Sequence, residues 1–372
     1  NISNVGNIHL YRYSLDQAEE LYLRAIEESR ALNEKRATAN TINNMAVVCY
    51  YRGDFPRCRE YLNLFVEIST EIGNKEGLAY IFGNMGILEQ ELGNSRLALD
   101  YHGRQLELAR EIGDMYNVAK ALHQIGQLRK AAGDFTGALE NILQAVEITR
   151  RTANARDLAQ CVRDLGVLHM DMGNSREASQ SLQEAFELGS GGADTEVSSS
   201  SRMYQAGLAV MEGEPERALE FLEEAVALKR ELGEPRSLLK TLVTASEILV
   251  DIRRTSRARE LLSEADTLLG DNPPEDIEAR YRGLKLLLEA EDDPEGAAAG
   301  LEELIRDLSN KKELQAYMYL KLHGITGEEE HRLAAVETYR ELYRQVPRAE
   351  YSFRLKSLGA VSAEGRKGKA RR

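Results

Sequence analysis

At 372 residues the chain is long enough for two or three compact domains or one extended repeat array, and its net charge is −13. Five positive charges fall in the last seven residues, RKGKARR, so residues 1–365 carry −18; a body this acidic repels phosphate backbones and argues against general nucleic-acid binding. No apolar run reaches the roughly 18–20 residues that cross a bilayer, and Cys49, Cys58 and Cys161 form neither a CxxC pair nor an even set, which points to free thiols in a reducing cytoplasm.

The amino-terminal stretch NISNVGNIHLYRY has no basic start and no continuous apolar core, so it is not a secretion signal. It reads as the middle of a helix, and the expectation is a segment of a longer protein. Downstream, Gly53, Gly93, Gly133, Gly173 and Gly213 stand 40 residues apart. A fixed period of this kind is the mark of a repeat architecture.

The repeat is clearest over 117–152. Val118, Ala121, Leu122, Ile125 and Leu128 advance by threes and fours, which places them on one helical face. Gly133 closes that helix in the left-handed conformation, and Asp134 is suited to cap the next. Ala138, Leu139, Ile142, Ala145, Val146 and Ile148 form a second stripe, so the unit is a helical hairpin. Ala18, Cys58, Ala98, Ala138, Ala178, Ala218, Ala258 and Ala298 share one slot. Gly6, Ala46, Gly86, Gly126, Gly166 and Ala206 share another, in the first helix of each pair. Small side chains at a crossing let two helix axes approach to about 8 Å, and that packing offsets the roughly 1 kcal/mol that a mid-helix glycine costs.

In chain order the register predicts a truncated hairpin over 1–34, five clear hairpins over 37–234, and two degenerate ones at 237–272 and 275–310. GSGGADTEVSSSS, 189–201, reads as a long loop between hairpins, because the spacing from Gly173 to Gly213 passes through it unbroken. Residues 329–346 and 349–358 read as closing helices. The domain layout is then a repeat array over 1–310, an atypical terminal repeat with capping helices over 311–358, and a basic disordered tail over 359–372.

Small residues in the first helix, a Gly-Asp or Gly-Asn turn and alanines at Ala138 and Ala145 resemble the tetratricopeptide repeat. The resemblance covers nearly the whole chain. Its period of 40 exceeds the family's usual 34, which is similar to the repeats of Pins-type scaffolds, kinesin light chains and bacterial peptide-sensing regulators. The family's large early aromatic is replaced by Ile42, Phe82, Leu122 and Val162, and tryptophan is absent. The fold implied is an all-α solenoid, a right-handed superhelix of about eight hairpins.

A search for chemistry finds no phosphate-binding loop, no GxSxG elbow and no HExxH, and the six histidines are scattered. The reading is a non-enzyme with no cofactor and no metal. What remains is the concave face of a stacked array. The resemblance places ligand contacts on the first helices, at Asn40, Asn43, Asn44 and Val47, then Tyr80, Gly83, Asn84 and Ile87, then Lys120, His123, Gln124 and Gln127, then Gln160, Arg163 and Asp164. Asn4, Asn44, Asn84 and Gln124 recur at one position. A carboxamide offers both a donor and an acceptor, so such a ladder can grip the backbone of an extended peptide; the competing role is to bridge neighbouring helices. Lys120 and Arg163 are suited to an acidic group on the ligand, or to an internal ion pair with Asp164 or Glu89. Tyr50 and Tyr51 are placed either to stack on a ligand or to fill the core.

The function expected is a cytoplasmic signalling scaffold that holds an extended peptide or partner helix in its groove, as a monomer or weak homodimer with no nucleic acid and no membrane. Its peptide-binding groove comprises Asn40, Asn43, Asn44, Tyr80, Asn84, Lys120, His123, Gln124 and Arg163. Two alternatives stay open: a sensor arm that restrains an attached kinase, cyclase or NTPase domain, and a self-association module.

Overall fold

A computed structural model describes residues 2–152, 154–190, 194–270, 273–308 and 310–360. These contain nineteen α-helices and no strand. The helices fall into two compact units, the first of residues 1–130 and 136–152, the second of residues 131–135 and from 153 onward.

Unit 1 stacks four hairpins: α1 (Ile2–Tyr11) with α2 (Leu15–Ala31), α3 (Lys35–Tyr51) with α4 (Phe55–Glu71), α5 (Lys75–Glu91) with α6 (Ser95–Ile112), and α7 (Met115–Ala131) with α8 (Phe135–Thr152). Unit 2 stacks five. They are α9 (Ala155–Asp171) with α10 (Ser175–Leu188), α11 (Thr195–Glu212) with α12 (Pro215–Leu232), α13 (Pro235–Asp251) with α14 (Thr255–Leu268), α15 (Glu275–Glu289) with α16 (Pro294–Asp307), and α17 (Lys312–Thr326) with α18 (Glu329–Gln345). A last helix, α19 (Ala349–Ser357), follows them. The all-α solenoid of hairpins read from the 40-residue period is the observed fold.

The hairpin turns show why the period is kept. Gly53, Gly93, Gly133, Gly173 and Gly213 all have φ between 72° and 81°, the left-handed conformation that ends a helix without a Cβ clash. Where the series continues without glycine, Tyr13 and Arg253 are driven to φ 58°. At the equivalent turn Asp54 caps α4, accepting from the Arg57 amide at 3.2 Å. Asn94 and Asn174 do not cap their helices. Their amides turn back instead to Glu89, at 2.8 Å, and His169, at 3.4 Å.

The two small slots meet at the helix crossings. A Cβ built on Gly6 would lie 2.6 Å from Tyr22, on Gly126 2.6 Å from Ile142, and on Gly166 2.8 Å from Leu182. Each glycine is thus the seat of a side chain from the second helix. The other slot is buried from Ala18 through Ala258. It shifts in the degenerate hairpin, where Ala297 is buried and Ala298 only partly so; the register there is displaced by one residue.

The predicted loop at 189–201 is largely helix. Asp194 accepts from the amides of Glu196 and Val197, at 3.0 and 3.3 Å, and so starts α11 at Thr195. Ser198, Ser199 and Ser201 are fully buried. Ser199 donates to the carbonyl of Ala225 at 2.9 Å, and Ser200 to that of Val197 at 3.1 Å. A hydroxyl that bonds a backbone carbonyl is nearly as compact as alanine, so the serine run packs at a crossing where its composition suggests a linker. The closing helices expected at 329–346 and 349–358 are α18 and α19. The basic tail lies outside the described residues from 361 onward.

Candidate functional site

First helices of successive hairpins touch one another, α1 with α3 in unit 1 and α9, α11, α13, α15 and α17 in series in unit 2. They form one layer of each unit, which we call the inner helices. The residues singled out in the sequence therefore lie on the inner helices, and their local geometry can be read one by one.

In unit 1 the amides pair between hairpins. Asn84 Nδ2 donates to Asn43 Oδ1 at 3.0 Å, and Asn44 Nδ2 donates to Asn7 Oδ1 at 3.0 Å. Tyr22 also donates to Asn7 Oδ1, at 2.7 Å. The bridging role is thus present, and it fixes which way each amide points. One bond per pair is used, leaving Asn43 its NH2 and Asn84 its carbonyl oxygen. That is one donor and one acceptor, the complement of a peptide's C=O and N–H. The series stops at Gln124, because the position before Asn84 that would face it is Gly83, which offers no side chain. A Cβ there would meet Gln105 at 2.7 Å.

The Asn43–Asn84 pair borders a cleft of about 170 Å³ between α3 and α5. Ala46, Cys58, Leu62 and Leu88 are its buried lining, and Val47, Tyr50, Tyr51, Tyr80 and Ile87 are its more accessible sides. Tyr51, Tyr80 and Ile87 are exposed, at 47%, 45% and 38%. Burial pushes the Cys58 thiol up to about 12, so it stays protonated and acts as an apolar surface. Tyr50 and Tyr51 belong to the cleft and also to an aromatic cluster, with ring centroids 6.0 Å apart and Tyr13 5.3 Å from Tyr51.

The remaining predicted residues are less concentrated. Asn40 and Asn4 are exposed. Lys120 is exposed and lies over the Tyr116 ring at 4.8 Å. His123 is half-buried, 3.5 Å from Gln127, and Gln124 is half-buried beside it. Arg163 belongs to unit 2 and is held by Asp164 at 2.9 Å, with Ser200 at 3.4 Å; the internal ion pair is what forms. Gln160 turns to Asp194 at 3.4 Å. Asn7 and the deeper Cys58 and Leu62 are not among the ligand contacts that the sequence nominates. Asn7 stands three residues from the repeated amide position, and the other two stand out there only as packing residues.

Among the described residues no group of three or more His, Cys, Asp or Glu side chains is placed to hold a metal ion. No described helix is long and apolar enough to cross a membrane.

Residues 37–111 and 117–189 match the family profile described as tetratricopeptide repeat. These segments are tetratricopeptide repeats. The repeats account for the hairpins from α3 to α10, and a further stretch, 198–250, matches the profile of anaphase-promoting complex subunit 5. In a comparison with curated proteins none matches. Several solved structures share the fold. The apo form of RapI aligns over 93% of this chain and 98% of its own, with 13% identity and a TM-score of 0.68. The apo form of the quorum sensor NprR from B. thuringiensis aligns over 96% of both chains, with 15% identity and a TM-score of 0.61. A Rap protein complexed with competence and sporulation factor aligns over 96% of this chain and 97% of its own, with 16% identity and a TM-score of 0.60. At these identities the likeness is one of fold.

Proposed function

We propose that the tetratricopeptide repeats of unit 1 hold an extended peptide or a partner segment against the inner helices. The observation that carries this reading is the Asn43–Asn84 pair. Its internal bond orients both amides and leaves one donor and one acceptor beside an apolar cleft with three exposed hydrophobic residues. A ligand backbone bonds the amides while a side chain enters between Tyr51, Tyr80 and Ile87. Lys120, exposed on the next inner helix, is available to an acidic group of the ligand. Asn40, Asn44, His123 and Gln124 extend the same surface, whereas Arg163 is committed to Asp164. The Rap structure with competence and sporulation factor supports the reading by analogy of fold.

The proposal places the chain in the cytoplasm, which the three free buried cysteines favour. It keeps the layout of a repeat array over 1–310 closed by 311–358. The test is selection of extended peptides from a random display library on the whole chain, followed by affinity measurement on Val47→Arg and Tyr80→Ala. Selected peptides should lose at least about tenfold in affinity on each variant. Binders indifferent to both would overturn the assignment of this cleft.

A further inference from the structure

Within unit 2, helices α9, α11, α13 and α19 line a cavity of about 370 Å³. Met170, Met203, Met211, Tyr204, Ile248 and Phe353 give it a soft apolar surface, the kind that moulds to a flexible aliphatic stem. Its charges are unevenly matched. Glu247 is bound by Arg280 at 2.5 Å, and Asp251 by Lys321 at 2.6 Å and Arg354 at 2.7 Å. Lys229 is buried and committed to Glu196 and Ser237. Lys240 also lines the cavity and is exposed.

Glu350 is the carboxylate left over. Its nearest cation is Arg354 at 3.8 Å, whose Nη2 is already spent on Asp251, and 45% of the Glu350 side chain is accessible. Burial among protein atoms, with Glu247 and Glu313 nearby, raises its carboxyl above the ordinary range despite Arg354 and Arg348. Glu247 is raised likewise, by burial first and then by Asp251 against Arg280. The side chain is open to a ligand, and among the described residues no cation lies within hydrogen-bond distance of its carboxylate.

We propose that this cavity binds a cation carried on an apolar stem, an ammonium or guanidinium, with Glu350 as its counter-ion and the methionines around the stem. The site shares no residue with the Asn43–Asn84 cleft, so the two readings stand or fall separately. The same chemistry is offered by a lysine side chain in a peptide and by a free polyamine.

The experiment uses the whole chain labelled at its methionine methyl groups and followed by NMR at constant ionic strength. The probes are acetyl-leucyl-lysyl-leucinamide, its norleucine analogue and spermidine. The Met170, Met203 and Met211 methyls should shift saturably with a cationic probe, and the lysine peptide should bind at least about fivefold tighter than the norleucine one, as a charge-assisted contact implies. Glu350→Gln should remove that preference. Shifts from spermidine alone would assign the site to polyamines, and shifts from the lysine peptide alone to peptides. Equal binding of the lysine and norleucine peptides, or no methyl shift with any probe, overturns the proposal. Both outcomes are read on the unaltered chain, so they stand even if Glu350→Gln disturbs α19. An unchanged lysine preference in a folded Glu350→Gln variant overturns it as well.

Discussion

The imidazole of His102 on α6 lies against Gly86 on α5, so close that a Cβ on Gly86 would come within 2.5 Å of the ring. The same contact recurs as Tyr22 over Gly6, Ile142 over Gly126 and Leu182 over Gly166, in the register of the 40-residue period. Gly86→Ala gains about 1 kcal/mol of helix propensity but forces the ring or the crossing apart, which costs about 1–3 kcal/mol. The expected net effect is a destabilisation of up to about 2 kcal/mol. It should be read by chemical denaturation, with amide exchange rising first over 75–112. Faster exchange elsewhere first, or none, would contradict a local crossing.

His102 also makes stability depend on pH. Its ring is fully buried; Nδ1 lies 3.2 Å from Gln105 Oε1, and Nε2 has no partner among the described residues. Burial lowers its pKa below 6.5, opposed by the Gln105 bond. His169 is lowered in the same way, by burial against Glu177. For a depressed histidine the unfolded chain takes up the proton first. The stability it contributes is complete above about 6.5 and is lost as the pH falls from there toward the folded value, by up to about 1.4 kcal/mol per unit. Melting midpoints should drop between about pH 7.5 and 5.5. His102→Leu, the residue type found at Leu62, Leu182 and Leu222 in the same register, should flatten that fall. A profile as steep as the parent's would show that His102 does not carry it.

These contacts mark what the sequence disclosed and what it hid. Slots at Gly6, Gly86 and Ala138 were legible because a period of 40 repeats a local packing requirement, and local requirements leave a local trace. The helical serine run after Asp194 was not, because composition alone cannot tell a linker from small residues packed at a crossing. The amide at Asn84 was legible as a polar inner position, but its bond to Asn43 depends on the stagger between neighbouring hairpins. Least visible was the unit 2 cavity, which needs Glu350, Phe353 and Arg354 beside Lys240, Glu247 and Asp251, far earlier in the chain. No periodic pattern encodes that return of α19.

Arg253 fills a turn position that glycine holds at Gly53, Gly93, Gly133, Gly173 and Gly213, and it does so at φ 58°. Its side chain is exposed. The left-handed conformation costs a non-glycine residue roughly 1–2 kcal/mol, part of which glycine gives back through a freer unfolded chain. Arg253→Gly should therefore stabilise unit 2 by about 0.5–1 kcal/mol. The converse, Gly213→Arg, should destabilise it. Denaturation midpoints moving the other way would show that Arg253 is held by an interaction stronger than its strain.

Asp251 joins three helices. Its side chain is only 7% exposed and is bonded by Lys321 of α17, Arg354 of α19 and, at 3.2 Å, the Tyr317 hydroxyl. Burial alone would raise its carboxyl, but the two cations prevail and lower it. Its contribution is present above about pH 4 and is lost on further acidification. Asp251→Ala leaves Lys321 and Arg354 facing each other with only Glu350, 3.8 Å from Arg354, as a distant counter-ion, for which a loss of about 3–5 kcal/mol is expected. Lys321→Met with Arg354→Met in the same chain should recover much of it. Failure of that rescue would mean that Asp251 acts through its packing.

Peptide binding in the groove turns on the bond between Asn84 and Asn43. Asn43→Ala with Asn84→Ala deletes the pair together with its free donor and acceptor. The amides are half-buried and bond mainly to each other, so removing both leaves neither partner stranded and the melting temperature should change little. Binding of a selected extended peptide should fall by about fivefold to about 150-fold, since two hydrogen bonds are worth roughly 1–3 kcal/mol together. The single change Asn43→Asp keeps the acceptor for Asn84 but replaces the free NH2 with a carboxylate oxygen. It should weaken the peptide by as much while leaving the Asn84 bond intact. Lys120→Glu should further weaken peptides with acidic side chains and reverse the sign of their salt dependence. A pair of alanines that unfolds the chain but leaves the affinity of the surviving fold unchanged would make the amides structural. Unaltered affinity in Asn43→Asp would lead to the same conclusion from a single atom, and the ligand would then have to be held by the aromatic sides of the cleft alone.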